Sequence, residues 1–218
     1  IRGLHVREEH VREALRLAEE GSPDFEEGAV GAGTGMCCLG FKGGIGSASR
    51  CVELDGSEYT IGALVLSNFG EEGNLVIGGS RYGSELLPKV KERLKSDIDG
   101  SLAKDKGSII MLIATDIPMS PSQLERVANR AAIALGRTGS YMGNGSGDIA
   151  IAFSTANRMP HYSEQSLLEM KVIHEDAIDK VFEPAVEALE ESIISSLYHA
   201  KTTRGVRGKL VYGLREFI

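Results

Sequence analysis

Ser146 lies in a stretch whose residue types could support nucleophilic chemistry without a histidine. Residues 137–155 read RTGSYMGNGSGDIAIAFST, so Ser146 stands between Gly145 and Gly147, just before an alternating apolar run. If the chain were cut between Gly145 and Ser146, the serine would become a new N-terminus with a free α-amine. Such an amine has an unperturbed pKa of about 7.7–8.0, so it can accept the proton of the serine's own hydroxyl. The pattern therefore predicts a self-activated nucleophile at Ser146.

The same residues offer a route to the cut. Ser146 Oγ would attack the carbonyl carbon of Gly145, the acyl group would move from nitrogen to oxygen, and water would release the two pieces. Glycine before the bond lets the backbone reach conformations that a side chain forbids. The alternative interpretation is an ordinary Asn144–Gly145 turn leading into a buried strand. The local sequence leaves both interpretations open.

Asn68 is a second polar residue at the end of an apolar run. It closes the continuously apolar segment TIGALVLSN of residues 60–68, which predicts a central strand of a sheet. A side-chain amide at such a strand end could donate a hydrogen bond to a developing oxyanion. The alternative is a turn asparagine whose side chain bonds to local backbone.

The glycine-rich segment 28–46, GAVGAGTGMCCLGFKGGIG, suggests a phosphate-binding loop because Lys42 lies within it. The P-loop pattern GxxxxGK[ST] is absent, however, and the G-x-G-x-x-G pattern fits poorly. We therefore interpret the segment as strands whose missing side chains let another backbone or a substrate approach closely.

Composition and motifs disfavour several other classes of protein. The sequence contains no HExxH, no CxxC pair and no acidic cluster with metal spacing, and G-x-S-x-G does not surround Ser146. We therefore expect no metal and no organic cofactor. The formal net charge of −7, without a basic stripe, disfavours a nucleic-acid partner. No apolar run approaches the ~20 residues of a membrane span.

Cysteine usage bears on the compartment. The three cysteines form no disulfide framework, which favours a reducing compartment, and we expect a cytoplasmic protein. The chain begins with Ile1 rather than methionine, so the sequence leaves open whether a signal peptide precedes it.

The predicted elements indicate a layered α/β domain formed by residues 1–218. Asp55–Gly56 predicts a tight hairpin between two strands, and strands are also expected at 108–115, 148–154 and 209–214. Helices are expected at 6–20, from the Ser120–Pro121 cap to residue 135, and from 174 to about 200 with a kink or restart at Pro184. Residues 71–106 are interpreted as a surface insertion with one short helix starting near Pro88.

Five ordered blocks of this sequence resemble a known family. They are VGAGTGM…GFKGGIGSASR at 30–50, GALVLSNFG at 62–70, GSIIMLIATDIP at 107–118, RTGSYMGNGSGDIAIAFSTAN at 137–157 and EALEES at 187–192. In these blocks the chain resembles the self-processing serine aminopeptidases that include L-aminopeptidase/D-Ala-esterase/amidase and the bacterial β-peptidyl aminopeptidases. The resemblance implies a four-layer αββα sandwich like that of N-terminal nucleophile hydrolases, but with its own connectivity.

The resemblance also implies an activity and its products. It implies cleavage into an α piece, residues 1–145, and a β piece, residues 146–218, which assemble into homo-oligomers of αβ units. The mature enzyme would release N-terminal amino acids from small peptides, amides or esters through an acyl-enzyme on Ser146. An acyltransferase of the ornithine acetyltransferase type is one alternative, although those proteins typically use threonine at the cut. A catalytically inactive relative that serves as a binding or assembly subunit is another.

The resemblance assigns the supporting site residues as well. Asn68 would stabilise the oxyanion, and Asn144 and Gly147 flank the cut. The family's hydroxyl-x-glutamate pair falls on Leu189-Glu190-Glu191, so Glu191 would orient Ser146 or its ammonium.

This sequence departs from the family in three places. Leu189 carries no hydroxyl, for which Ser192 is a possible substitute, and this is the feature that favours the inactive relative. A family segment with an oxyanion-hole tyrosine, which would precede Ile1, is not in this chain. The insertion at 71–106 is longer than the resemblance predicts.

Overall fold

The computed structural model describes residues 3–21, 24–96, 107–205, 208 and 210–218. Its helices and strands follow one another along the chain as α1 Glu8–Glu20, β1 Cys37–Cys38, β2 Phe41–Lys42, β3 Gly44–Leu54, β4 Ser57–Asn68, α2 Tyr82–Ser96, β5 Ser108–Thr115, α3 Pro121–Ala128, α4 Ala131–Thr138, β6 Ile149–Ser154, α5 Asp179–His199, β7 Thr203–Arg204 and β8 Leu210–Val211. Short 3₁₀ turns lie at Gly31–Gly35, Glu175–Ala177 and Leu214–Glu216.

A four-stranded sheet in the order β3-β4-β5-β6 forms the centre of the described chain. β3 and β4 form the predicted hairpin, and Asp55 and Gly56 at its tip have φ values of 52° and 76°. Both values are positive, as a type I′ turn requires. β4 pairs on both sides and is therefore central, as its apolar sequence predicts, and β6 joins β5 in parallel.

One face of this sheet is covered by α5 and α3, with α4 packed against α5, and the alternation of each strand buries a matching set of side chains there. Ile61, Ala63 and Val65 of β4 and Ile109 and Met111 of β5 belong to that core. The predicted α/β layering is confirmed. Besides two small two-stranded sheets, β1-β2 and β7-β8, the described residues supply one helix layer and one four-stranded sheet, which is half of the sandwich that the resemblance implies.

The opposite face of the sheet is apolar and exposed in this chain. Its side chains come from the alternate positions of three neighbouring strands, namely Leu64, Ile110, Ile149, Ile151 and Phe153, each between 37% and 52% exposed. We call these five residues the open face. The strand period of two places them all on the side away from the helices.

Three sequence predictions need correction. The helix expected from 121 to 135 is two helices, α3 and α4, separated at Asn129 and Arg130. α2 begins at Tyr82 rather than near Pro88, which lies inside it.

Residues 71–96 are also more than a surface insertion, because Leu75, Leu86 and Val90 are buried in the core. The glycine-rich segment 28–46 begins with a 3₁₀ turn before its short strands. The 97–106 part of the expected insertion lies outside the described residues.

Candidate active site

Ser146 ends a β-turn at the entrance to β6. Its backbone N–H donates to the Gly143 carbonyl over 2.8 Å, which closes a turn with Asn144 and Gly145 at its centre. Asn144 and Gly145 are exposed and Ser146 is half-buried. Gly145 does not adopt a left-handed φ. The bond between Gly145 and Ser146 therefore lies in an accessible turn, with the serine held against the sheet.

Asp148 is the partner of the Ser146 hydroxyl, and sequence reasoning missed it. Ser146 Oγ donates to Asp148 Oδ1 over 2.7 Å, and the same carboxylate oxygen accepts the Ile109 N–H over 3.3 Å. The bond from β5 fixes the carboxylate, so it orients the hydroxyl and can receive its proton. The signal was present in the sequence as an acidic residue two positions after the serine.

Asn68 reaches the same end of the sheet as Ser146. Asn68 pairs with Ser108 in the β4–β5 register, and Ser108 Oγ accepts the Gly147 N–H over 3.1 Å. The ends of three adjacent strands thus bring Asn68, Ser108 and Ser146 into one row, with one strand between the amide and the nucleophile. Because strands lie about 4.8 Å apart, the backbones of Asn68 and Ser146 are about 10 Å apart, and both side chains must extend towards the same substrate carbonyl to contact it.

The side-chain amide of Asn68 has a defined orientation. Its Oδ1 accepts the backbone N–H of Cys37 over 2.9 Å, so its carbonyl end is used and its NH₂ end can donate elsewhere. Cys37 follows Met36, whose backbone carbonyl accepts a hydrogen bond from Lys42 Nζ. Lys42 is only 2% exposed, and burial lowers the pKa of its ammonium below the ordinary lysine value. Sequence patterns gave no indication of this lysine's role, because its partners are backbone carbonyls.

The acidic residues predicted on helix α5 pair with arginines in this structure. Glu191 pairs with Arg50 on β3, with 2.6 Å between Oε2 and Nη1, at the sheet edge opposite β6. Glu190 pairs with Arg137 over 3.2 Å and so contacts the segment that leads into the turn. Leu189 is fully buried in the core, and Ser192 Oγ donates to the Leu189 carbonyl within the helix.

A separate polar cluster lies beside β3. Glu27 accepts a hydrogen bond from Ser47 over 2.5 Å and another from Ser195, and its Oε2 lies 2.9 Å from His199 Nδ1. The adjoining cavity of about 460 Å³ is lined by Phe25, Glu26, Glu27, Ala29, Val30, His199, Lys201, Thr203 and Arg215. Since the cluster joins residues 25–30 to the end of α5, its evident contribution is to hold that segment in place.

Two wider properties concern the whole described chain. Within the described ranges, no group of three or more histidine, cysteine, aspartate or glutamate residues is placed to hold a metal ion. None of the helices described here combines the length and the apolar character needed to cross a membrane.

The chain matches a known family of proteins. The family model of peptidase family S58 matches residues 1–211. The chain belongs to this family, and the resemblance drawn from the five sequence blocks is confirmed.

Individual relatives agree with this membership. The chain is 42% identical over 219 residues to β-peptidyl aminopeptidase BapA of Sphingosinicella microcystinivorans, covering 98% of this chain and 55% of that protein. It therefore spans about half the length of this relative. The BapA of Sphingosinicella xenopeptidilytica is 38% identical, with 97% and 53% covered.

Solved structures show the same similarity. The PH0078 protein from Pyrococcus horikoshii OT3 superposes with a TM-score of 0.82 at 51% identity, covering 98% of this chain and 55% of that one. The L-aminopeptidase D-Ala-esterase/amidase of Ochrobactrum anthropi superposes with a TM-score of 0.81 at 38% identity, with 98% and 56% covered. The latter is described as a prototype of the serine aminopeptidases and a new variant of the Ntn hydrolase fold.

Proposed function

We propose that the protein containing this chain is a self-processing serine aminopeptidase that also acts on amides and esters. The observation that carries the proposal is the position of Ser146, at the end of an exposed turn with its hydroxyl bound to a fixed carboxylate. Its relatives, named as an aminopeptidase with esterase and amidase activity and as β-peptidyl aminopeptidases, support this chemistry. The transferase and inactive-subunit alternatives receive no comparable support.

Self-cleavage begins on the uncut chain, in which Ser146 has no free amine. Asp148 Oδ1 receives the hydroxyl proton while Ser146 Oγ attacks the Gly145 carbonyl carbon, forming a tetrahedral oxyanion. Collapse of this intermediate breaks the carbon–nitrogen bond, and the proton passes to the departing nitrogen. The resulting ester is hydrolysed by water to the Gly145 carboxylate and free Ser146. The products are residues 1–145 and a second piece that starts at Ser146.

The mature site then uses the new α-amine as its general base. The amine takes the proton of Ser146 Oγ, which attacks the carbonyl carbon of the substrate's N-terminal residue. The NH₂ group of Asn68 donates to the oxyanion, and the amine returns the proton to the leaving group. Water, activated by the same amine, hydrolyses the acyl-enzyme and releases the amino acid.

Glu191 enters this proposal only through the family resemblance. In that role its carboxylate would stabilise the Ser146 ammonium. In the uncut chain it pairs with Arg50 instead, so the role requires Glu191 to exchange that partner. Glu190 and Ser192 lie on the same helix and are proposed as supporting residues of the site. In the uncut chain Glu190 forms an ion pair with Arg137, and the Ser192 hydroxyl donates within α5.

The substrates proposed for the whole protein are small peptides and amino-acid amides or esters, with homo-oligomers of αβ units as its assembly. We propose neither a nucleic-acid nor a membrane partner, and a cytoplasmic location stays a prediction.

The test is the intact mass of the freshly purified full-length protein under denaturing conditions. We expect two species broken between Gly145 and Ser146, and one uncut species in Ser146→Ala. Asp148→Asn keeps the shape of the side chain but weakens the proton acceptor, so we expect it to slow cleavage by about 10²-fold, within the usual range for general-base catalysis. Ser140→Ala, in the other Gly-Ser pair of this segment, is the matched control and should cleave normally. A single uncut mass for the unaltered protein, stable over days at neutral pH, would overturn the proposal.

A further inference from the structure

Lys42 is a buried cation without an acidic partner among the described residues. Its Nζ donates to three backbone carbonyls, those of Gly33 at 2.9 Å, Gly43 at 3.0 Å and Met36. An ammonium carries three protons and has no acceptor, so three carbonyls match its full donor capacity. A buried charge is costly unless it is compensated in this way.

The Met36–Cys37 peptide connects this ammonium to the oxyanion amide. The carbonyl oxygen of the peptide binds Lys42 Nζ, and its N–H, carried by Cys37, donates to Asn68 Oδ1. The Asn68 side chain is itself an amide, with its oxygen bound to Cys37 and its NH₂ group directed elsewhere. Two amides therefore stand in series between the buried charge and the oxyanion donor.

Such a series has a defined electrostatic consequence. A cation on the oxygen of an amide withdraws electron density and makes the N–H of the same amide a stronger donor. Chains of hydrogen bonds polarise one another in this manner, by perhaps 10–30% per bond. The low local dielectric around a lysine that is 2% exposed increases the effect.

We propose that Lys42 is a positioning residue for the proposed reaction. It holds the Met36–Cys37 peptide, fixes the orientation of the Asn68 amide and polarises the NH₂ group that meets the oxyanion. The inference rests on the proposed function, because it needs Asn68 as the oxyanion donor.

The geometry around Lys42 supports positioning as well as polarisation. The Met36 carbonyl also accepts the Gly43 N–H over 3.1 Å, and the Lys42 N–H donates to the Tyr212 carbonyl over 2.7 Å. Both ends of the loop that carries Cys37 are thus fixed. A displacement of Cys37 would free Asn68 to rotate and expose its oxygen, rather than its NH₂ group, to the substrate.

A double-mutant cycle between Lys42 and Asn68 tests the proposal in the full-length protein. The variants are Lys42→Met, Asn68→Ala and the double variant, assayed for kcat and KM on the p-nitroanilides of L-alanine and β-alanine. Asn68→Ala should lower kcat by roughly 10²–10³-fold, the usual effect of losing one oxyanion donor. Lys42→Met should lower kcat by about ten-fold with little change in KM, because the interaction it supports forms only in the transition state. In the Asn68→Ala background, Lys42→Met should have no further effect.

Several results separate the inference from its alternatives. Equal losses of kcat from Lys42→Met in both backgrounds, or a fall in Tm with unchanged kcat, would overturn it and leave Lys42 a structural residue. Lys42→Gln, which keeps donors without the charge, is the second variant, and failure of both variants to fold would also overturn the inference, because Lys42 would then be required for the fold itself. Thr115→Val is the matched control. It removes a buried hydroxyl that bonds to Thr60 and Ile117 at the other end of the sheet, so it should lower Tm and leave kcat unchanged.

The proposed function fails in a different way. If Asn68→Ala leaves kcat unchanged, or Ser146→Ala retains activity, the reaction does not use this site. If Asn68→Ala lowers kcat and Lys42→Met does not, only the inference about Lys42 is overturned.

Discussion

At the scale of the residue, the three cysteines differ in a way that predicts their reactivity. Cys38 is fully buried, and burial raises the pKa of its thiol to about 12, whereas Cys51 is exposed. The thiolate is the reactive form, so a raised pKa keeps Cys38 protonated and inert at neutral and mildly alkaline pH.

Iodoacetamide at pH 8 should therefore modify Cys51 and leave Cys38 unmodified in the native protein, as read by peptide mass spectrometry. Denaturation in guanidinium should make both react at similar rates, which provides the control. Rapid modification of Cys38 in the native state would contradict the packing of the segment that also carries Cys37.

The role of a residue could be predicted from the sequence when the residues that it contacts lie near it in the chain. Ser146 and Asn68 could be proposed because each adjoins an apolar run, which Ser146 precedes and Asn68 closes. Asp148 could have been recognised, since it lies two residues from the serine it binds. Lys42 could not, because its three acceptors are main-chain carbonyls that any sequence provides.

At the scale of the element, the contact between α5 and β3 depends on a missing side chain. A Cβ on Gly46 would lie 2.0 Å from the Ser192 carbonyl oxygen and 2.5 Å from the Ser196 backbone nitrogen. Both atoms belong to the backbone of α5, so they cannot yield without moving the helix. The close approach of helix and strand therefore requires glycine at this position.

Gly46→Ala should lower the free energy of unfolding by about 1–3 kcal/mol or more, which is the usual cost of overpacking a core. Urea unfolding measures the change. Gly136→Ala is the matched control, because no atom lies within 4 Å of its added Cβ and it occupies helix α4. That change should stabilise the protein by up to about 1 kcal/mol. Equal stability of the two variants would contradict the observed helix–strand packing.

Elements with strong local signals were predicted well, and those set by distant contacts were not. The β3–β4 hairpin followed from Asp55–Gly56, and the start of α3 from its Ser120 cap, which accepts the Gln123 N–H over 3.3 Å. The break between α3 and α4 has no proline or glycine to mark it. The burial of Leu75 depends on packing against remote parts of the chain, which no local pattern records.

At the scale of the whole molecule, the sheet has one covered face and one open face. The open face is formed by residues spaced two apart on three adjacent strands, so it is one continuous patch. Contiguous apolar patches of this kind are rare on monomeric soluble proteins. The four-layer sandwich implied by the resemblance has a second sheet on this side, and the relatives are nearly twice as long as this chain.

We therefore expect residues 1–218, expressed alone, to bind a hydrophobic dye such as ANS and to aggregate without a defined size, whereas the full-length protein should bind little dye and form only its homo-oligomer of defined size. The physical reason is that the open face is left in water when the rest of the protein is missing. Fluorescence titration and light scattering measure the two effects. Substituting Ile110 and Ile151 by threonine in the isolated chain should reduce both, because these residues lie within the patch at 42% and 49% exposure. Ile133→Thr changes an equally exposed residue, 50%, on α4 away from the patch, so it should alter neither. Dye binding by the full-length protein as strong as that of the isolated chain would show that the face stays uncovered, and would contradict the sandwich.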